Sequence, residues 1–301
     1  MAASKSPGSL LTARWTPYLF MAPVILYLLF LDFIPLLNEL YLSFTSTSLL
    51  TPGQHKWVGL DNYRDLLRAG DFLNSIWITA IYTIACVVLA IGLGLSAALL
   101  LDSPFVGRGV ARALVTLPWA APPVAVALIF TWIYNAQYGV FKITQKLMGM
   151  EAIENWLDTP KRALAAILIA TIWQIFPFAS VVILAALQGV PKELREAAAI
   201  DGANPVDVFR AVVWPTILPT MMILALFLTI WSLRRFDLIW LLTQGGPIGA
   251  TNTLVIELYR TAFVYRDLGA GAAVGMIGLV IALIITAFHY RLSRRLEAEE
   301  A

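Results

Sequence analysis

Glu196-Ala197-Ala198-Ala199-Ile200-Asp201-Gly202-Ala203 is a polar run, followed by Val212-Val213-Trp214-Pro215 and Leu218-Pro219. It lies between two of the most apolar stretches of the chain. A charged segment ended by a glycine has no evident use facing lipid, so this stretch reads as a docking element in water between two membrane-length helices. Pro191 can start a helix at Lys192, and residues 192–200 are rich in helix formers. Gly202 and Pro205 then allow a sharp turn into a second segment containing Val208, Phe209 and Val212. A short helix lying along a membrane surface has the shape needed to enter a cleft on a partner. An ordinary amphipathic interfacial helix would show the same spacing.

Composition agrees with a membrane setting. The chain has 301 residues, of which 59% are apolar and 13% charged, and a mean hydropathy of +0.78. That is too apolar for an ordinary soluble domain. A net charge of +2 supplies no basic field for nucleic acid. The single Cys86 lies inside an apolar run, which excludes an intrachain disulfide framework and a cysteine-based metal cluster. His55 and His289 are too far apart in sequence to suggest a metal pair. Residues 1–14 are polar, and the apolar run that follows is too long for a signal-peptide core and has no cleavage site after it. It reads as a retained membrane anchor.

Crossing the hydrocarbon core takes about 20 apolar residues as a helix. Six stretches qualify: 17–42, 76–101, 113–134, 163–187, 216–242 and 268–290. The fold class is therefore an all-α polytopic membrane protein, with a 1–16 N-terminal segment, a 17–290 transmembrane domain and a 291–301 tail. Pro23, Pro35, Pro122, Pro123 and Pro177 each remove a backbone donor in or near a span. Such breaks are tolerated where neighbouring helices or a polar cavity satisfy the freed carbonyls. In the first connection, Leu60, Tyr63, Leu66 and Leu67 recur at helical spacing among Asp61, Arg64, Asp65 and Arg68, an amphipathic helix at the interface. An even number of spans puts both termini on one side. Lys and Arg split almost evenly between the two faces, so charge alone does not choose that side.

The Glu-Ala-Ala start, the Gly after three intervening residues and the Pro-containing close resemble the EAA loop of ABC importer permeases. Trp214 departs from the Leu usual in that ending. Asp201-Gly202-Ala203, Phe209, Leu218-Pro219, Phe236-Asp237, Leu242-Thr243-Gln244-Gly245-Gly246-Pro247 and Gly59-Leu60-Asp61-Asn62-Tyr63 narrow the resemblance to the maltose-permease class of carbohydrate importers. The resemblance implies that the 188–215 loop is a cytoplasmic coupling element seated in an ATPase. Glu196, Ala197, Ala198, Asp201, Gly202 and Pro215 are its ATPase-coupling residues. It implies an ABC ATPase dimer, a second permease subunit in a heterodimer, an extracytoplasmic substrate-binding protein and surrounding lipid as partners. It places the chain in a bacterial or archaeal inner membrane with both termini cytoplasmic.

No Gly-x4-Gly-Lys-Ser/Thr phosphate loop occurs. The chain is therefore expected to bind no cofactor and to be no enzyme, with ATP and Mg used by the partner ATPase. Polar groups at membrane depth are the candidates for a solute path. Thr171, Trp173, Gln174, Phe178 and Ser180 surround Pro177 in the fourth span. Trp231, Ser232, Arg234, Arg235, Phe236 and Asp237 crowd the fifth, where a continuous helix would let Arg234 pair with Asp237. The resemblance singles out Thr171, Phe178, Trp231, Ser232 and Arg235 as the substrate path; aromatic packing and snorkelling arginines are the structural alternative. An ion-coupled secondary transporter for a polar solute also stays open, with Asp32, Glu39 and Asp237 as its available intramembrane acids.

Overall fold

The computed structural model describes residues 16–51, 53–149 and 155–299. The expected N-terminal segment lies almost wholly outside them. The described residues are helical apart from loops and two isolated β-bridges, Thr45–Trp57 and Ser48–Asp267. The first crossing is α1 (Thr16–Leu28), a π-helical segment Leu29–Phe33 and α2 (Ile34–Leu42) in one run. Pro35, which has no N–H to give, stands just past the wider π turn. Then come α3 (Asp61–Arg68) and the long α4 (Gly70–Asp102). As its spacing predicts, α3 is amphipathic. It buries Leu66 in a cluster with Phe72, Leu254, Ala273 and Val274.

The third crossing is not the single helix expected over 113–134. α5 (Arg108–Ala120) and α6 (Pro123–Ile133) meet at 96°. The cause is Pro122-Pro123: a residue before proline is driven out of the α region, and Ala121 and Pro122 are both extended, with ψ of 132° and 141°. α7 (Val140–Leu147) caps the connection, and α8 (Pro160–Gln188) forms the fourth crossing around Pro177. α9 (Lys192–Ile200) and α10 (Pro205–Val208) lie between crossings. A second π segment, Phe209–Val213, leads from them into α11 (Trp214–Leu233).

The fifth crossing, expected to be continuous over 216–242, stops at Arg234 and resumes as α12 (Asp237–Thr243). The Arg234–Asp237 pairing that depended on a continuous helix is not among the ion pairs of the described residues. α13 (Leu254–Tyr259), a third π segment (Arg260–Val264) and α14 (Leu268–Glu299) complete the chain. α14 runs unbroken past Arg291 to Glu299, so the first part of the expected 291–301 tail is helical.

α4 and α8 are the central pair, and they run parallel. Tyr82 meets Thr171, Gly94 meets Ala179 and Ser180, and Asp102 lies beside Arg195, just past the end of α8. Gly94 permits the closest approach: a Cβ there would stand 2.8 Å from the Ala179 methyl and 3.0 Å from the Ser180 nitrogen. α5 starts beside Asp102 at the α9 end, since Arg108 donates to the Leu101 carbonyl. α6 finishes near the start of α8, where the Tyr134 hydroxyl donates to the Ala166 carbonyl at 2.8 Å. The bent pair therefore traverses the bundle, which gives six crossings among the described residues.

Candidate functional site

Two features of the bundle carry chemistry. The first is a polar face halfway along the bundle, assembled from helix breaks. Leaving the helix at Ala121 frees a backbone carbonyl inside an apolar bundle, where an unsatisfied acceptor is costly. The Gln174 side chain, nearly fully buried, donates Nε2–H to that carbonyl at 2.9 Å. Its own Oε1 accepts from the Arg235 guanidinium at 2.7 Å. One side chain of α8 thus ties together the breaks of the third and fifth crossings. Gln174 stands fourteen residues from each end of α8, about 21 Å along the axis in either direction. Arg235 is therefore held level with the middle of α8.

Around this link the expected residues take distinct positions. Thr171 is fully buried, its hydroxyl 2.9 Å from the Tyr82 hydroxyl of α4, so it joins the two central helices. Phe178 lies one turn beyond Gln174 on the same face of α8. Its ring centroid is 4.9 Å from that of Trp231 and 5.4 Å from that of Trp119. Trp231 and Trp119 both keep an exposed edge. Three crossings, α5, α8 and α11, thus contribute one continuous aromatic row on the α8 face that also carries Gln174. Ser232 is buried, its hydroxyl beside the Cys86 thiol of α4. The structure brings Phe178, Trp231, Ser232 and Arg235 together, with Thr171 one turn behind.

Sequence reasoning left out Tyr82, Trp119 and the Ala121 carbonyl, and it named Gln174 without giving it a role. A tyrosine in the second apolar run and a tryptophan beside Pro118 were visible signals. That a glutamine would answer a carbonyl fifty-three residues away was not.

The second feature is α9. It ends in a Schellman arrangement: Ala203 N–H donates to the Ala198 carbonyl at 3.0 Å and Gly202 N–H to the Ala199 carbonyl at 3.1 Å. Gly202 has φ +86°, the left-handed value this motif needs and glycine adopts without steric cost. The Asn204 side chain accepts from Val206 and Asp207 N–H and caps α10. The helix is fastened by Arg195. One guanidinium nitrogen donates to the Leu187 carbonyl at 2.7 Å, and another lies 3.3 Å from Asp102, which also faces Arg108 at 3.8 Å. Glu196, Ala197, Asp201, Gly202 and Pro215 are exposed and Ala198 is half-buried. Leu194 and Ile200 leave apolar side chains uncovered at 52% and 86% exposure. Trp214 stands at the start of α11, its ring 6.1 Å from Phe209. Among the described residues nothing covers the outer face of α9, which Arg195 ties to the ends of α4 and α8.

Residues 90–298 match the family described as binding-protein-dependent transport system inner membrane component. The trehalose/maltose transport system permease protein MalF of Thermococcus litoralis is 35% identical, over 92% of this chain and 93% of its own length. The sulfoquinovosyl glycerol transport system permease protein SmoG of Agrobacterium fabrum is 32% identical, over 93% and 94%. Among solved structures, a chain of a bacterial alginate ABC transporter in complex with an alginate pentasaccharide-bound periplasmic protein superimposes with a TM-score of 0.83. The two are 22% identical over 95% of this chain and 96% of that one, a likeness of fold. With its crossings, its exposed inter-crossing helix and these full-length matches, this chain belongs to the family of binding-protein-dependent transport system inner membrane components.

Proposed function

We propose that this chain is a permease subunit of an ATP-driven ABC importer for a sugar or sugar derivative, and that it forms the translocation pathway with a second permease subunit. The names of its relatives, permeases for trehalose/maltose and for sulfoquinovosyl glycerol, support a saccharide. The observation that carries the reading is α9: a capped, clamped helix with exposed Leu194 and Ile200, projecting between the fourth and fifth crossings. In this reading α9 seats in an ATPase dimer at the cytoplasmic face, with Glu196, Ala197, Ala198, Asp201, Gly202 and Pro215 as the coupling residues. Six crossings then put both termini in the cytoplasm of a bacterial or archaeal cell. ATP and Mg belong to the ATPase, and this chain binds no cofactor. The opposite end receives the extracytoplasmic binding protein, and the second permease is a different chain, making a heterodimer.

Thr171, Phe178, Trp231, Ser232 and Arg235 form the substrate path. Aromatic faces stack on pyranose rings, while hydroxyl and guanidinium donors bond to sugar hydroxyls. The test is to purify the complex from native membranes, reconstitute it and measure uptake of labelled sugars. Uptake that needs ATP and survives ionophores, and that collapses in Trp231→Ala and Glu196→Ala, is the expected result. ATP-independent uptake abolished by ionophores overturns the reading.

A further inference from the structure

Arg235 poses a charge problem that a neutral sugar does not solve. Its guanidinium is half-buried, level with the middle of α8, and its hydrogen-bond partner is the neutral amide of Gln174. Among the described residues no carboxylate lies within ion-pair distance of it. Asp237, two residues on, is exposed in the first turn of α12 and pairs with neither Arg234 nor Arg235. Glu39 lies against Gly275 of α14, and Asp32 is on the first crossing.

The placement is built rather than incidental. Gln174 is fixed at its other end by the Ala121 carbonyl, and it engages one donor of the guanidinium. The remaining donors of the planar fork are left for another group. Phe178, which touches Trp231, is one turn from Gln174, so the Trp231–Phe178 pair lies on the same face of α8 as the side chain that holds Arg235. A neutral hydroxyl here would be bonded as well by a Gln or Asn, with no uncompensated charge. Arg is the side chain suited to bidentate pairing with a carboxylate, sulfonate or phosphate oxygen pair.

We propose that the solute carried through this permease bears an anionic group, as an acidic or acid-substituted saccharide does. That group pairs with Arg235 while the sugar ring lies against Trp231 and Phe178. This rests on reading the Arg235–Trp231 face as the substrate path and deepens it by naming the substrate class.

The test uses the complete reconstituted complex, with its own ATPase and binding protein. The probes are labelled glucuronate, galacturonate and sulfoquinovose, against glucose, maltose and trehalose. The expected result is that wild-type complex accumulates at least one anionic probe and that Arg235→Gln lowers its uptake at least tenfold. Arg235→Lys, which keeps the charge but loses the fork, should retain an intermediate rate, and that separates loss of charge from misfolding. Accumulation of neutral probes alone by the wild type overturns the proposal. So does undiminished uptake of the anionic probe by Arg235→Gln. If Trp231→Ala still abolishes that uptake, the path stands and the charge assignment fails. If Trp231→Ala and Arg235→Gln both transport at the wild-type rate, the path reading itself fails.

Discussion

Arg195 on α9 lies 3.3 Å from Asp102 at the last residue of α4, and its other nitrogen caps the Leu187 carbonyl at the end of α8. The two parallel central helices are thus joined at one end by a residue of the helix that lies outside the bundle.

Breaking that joint is expected to cost little stability and much coupling. Both partners are partly exposed, and such pairs contribute about 0.2–1 kcal/mol. Asp102→Asn should leave the melting temperature of the complex nearly unchanged while lowering the ratio of sugar transported to ATP hydrolysed. Parallel ATPase and uptake assays check it. A large drop in melting temperature with an unchanged ratio contradicts it.

Gly202 tests whether the backbone turn, rather than the space around it, shapes α9. Nothing lies within 4 Å of a Cβ built there, but φ is +86°. A β-branched residue in that region costs about 1–2 kcal/mol, whereas Asn is tolerated at this helix-ending position. Gly202→Val should uncouple ATP hydrolysis from uptake, and Gly202→Asn should keep most of it. Equal behaviour of the two variants would refute the conformational account.

Gly94 and Gly92 form a matched pair two residues apart on α4. A Cβ at Gly94 meets Ala179 and Ser180 at 3.0 Å or less, and a Cβ at Gly92 meets nothing within 4 Å. Gly94→Val is expected to force α4 and α8 apart at about 1–3 kcal/mol. Gly92→Ala should be neutral or stabilising, by up to about 1 kcal/mol. Thermal unfolding in detergent distinguishes them, and similar shifts at both sites would contradict the close approach.

Gln174→Leu removes both hydrogen bonds of the central link and leaves the Ala121 carbonyl buried without a donor. The expected loss is about 1–3 kcal/mol of stability, accompanied by loss of uptake because Arg235 is no longer held. Gln174→Glu cannot donate to Ala121 but can still accept from Arg235. It should lose stability like Gln174→Leu while keeping Arg235 in place. Thermal unfolding and uptake on the two variants separate these roles, and a wild-type melting temperature for Gln174→Leu would show that the bond to Ala121 carries no weight.

Much of the molecule was legible because hydrocarbon imposes local rules. Runs of about 20 apolar residues must be helices, and the Glu196–Gly202 run could be neither lipid-facing nor strand. Gly202 signalled its own left-handed turn, and Pro122-Pro123 signalled a break, though not one of 96°. The break at Arg234–Phe236 had no such signal. Leu233-Arg234-Arg235-Phe236 contains no proline or glycine, and helix propensity alone would carry it through.

By itself, then, the sequence determined an all-α chain of six crossings and placed an aqueous helix between the fourth and fifth, since both follow from the local match of side chains to water or lipid. Resemblance added the family in which that helix docks. Only the tertiary structure decided that Gln174 would bind both the Ala121 carbonyl and Arg235, that Arg195 would fasten α9 to Asp102, and that Trp119 would join Phe178 and Trp231. Those links join residues tens of positions apart, and their partners are chosen by which backbone groups the helix breaks leave unsatisfied once α4 and α8 have packed. Before that packing, no periodicity in the chain could single them out.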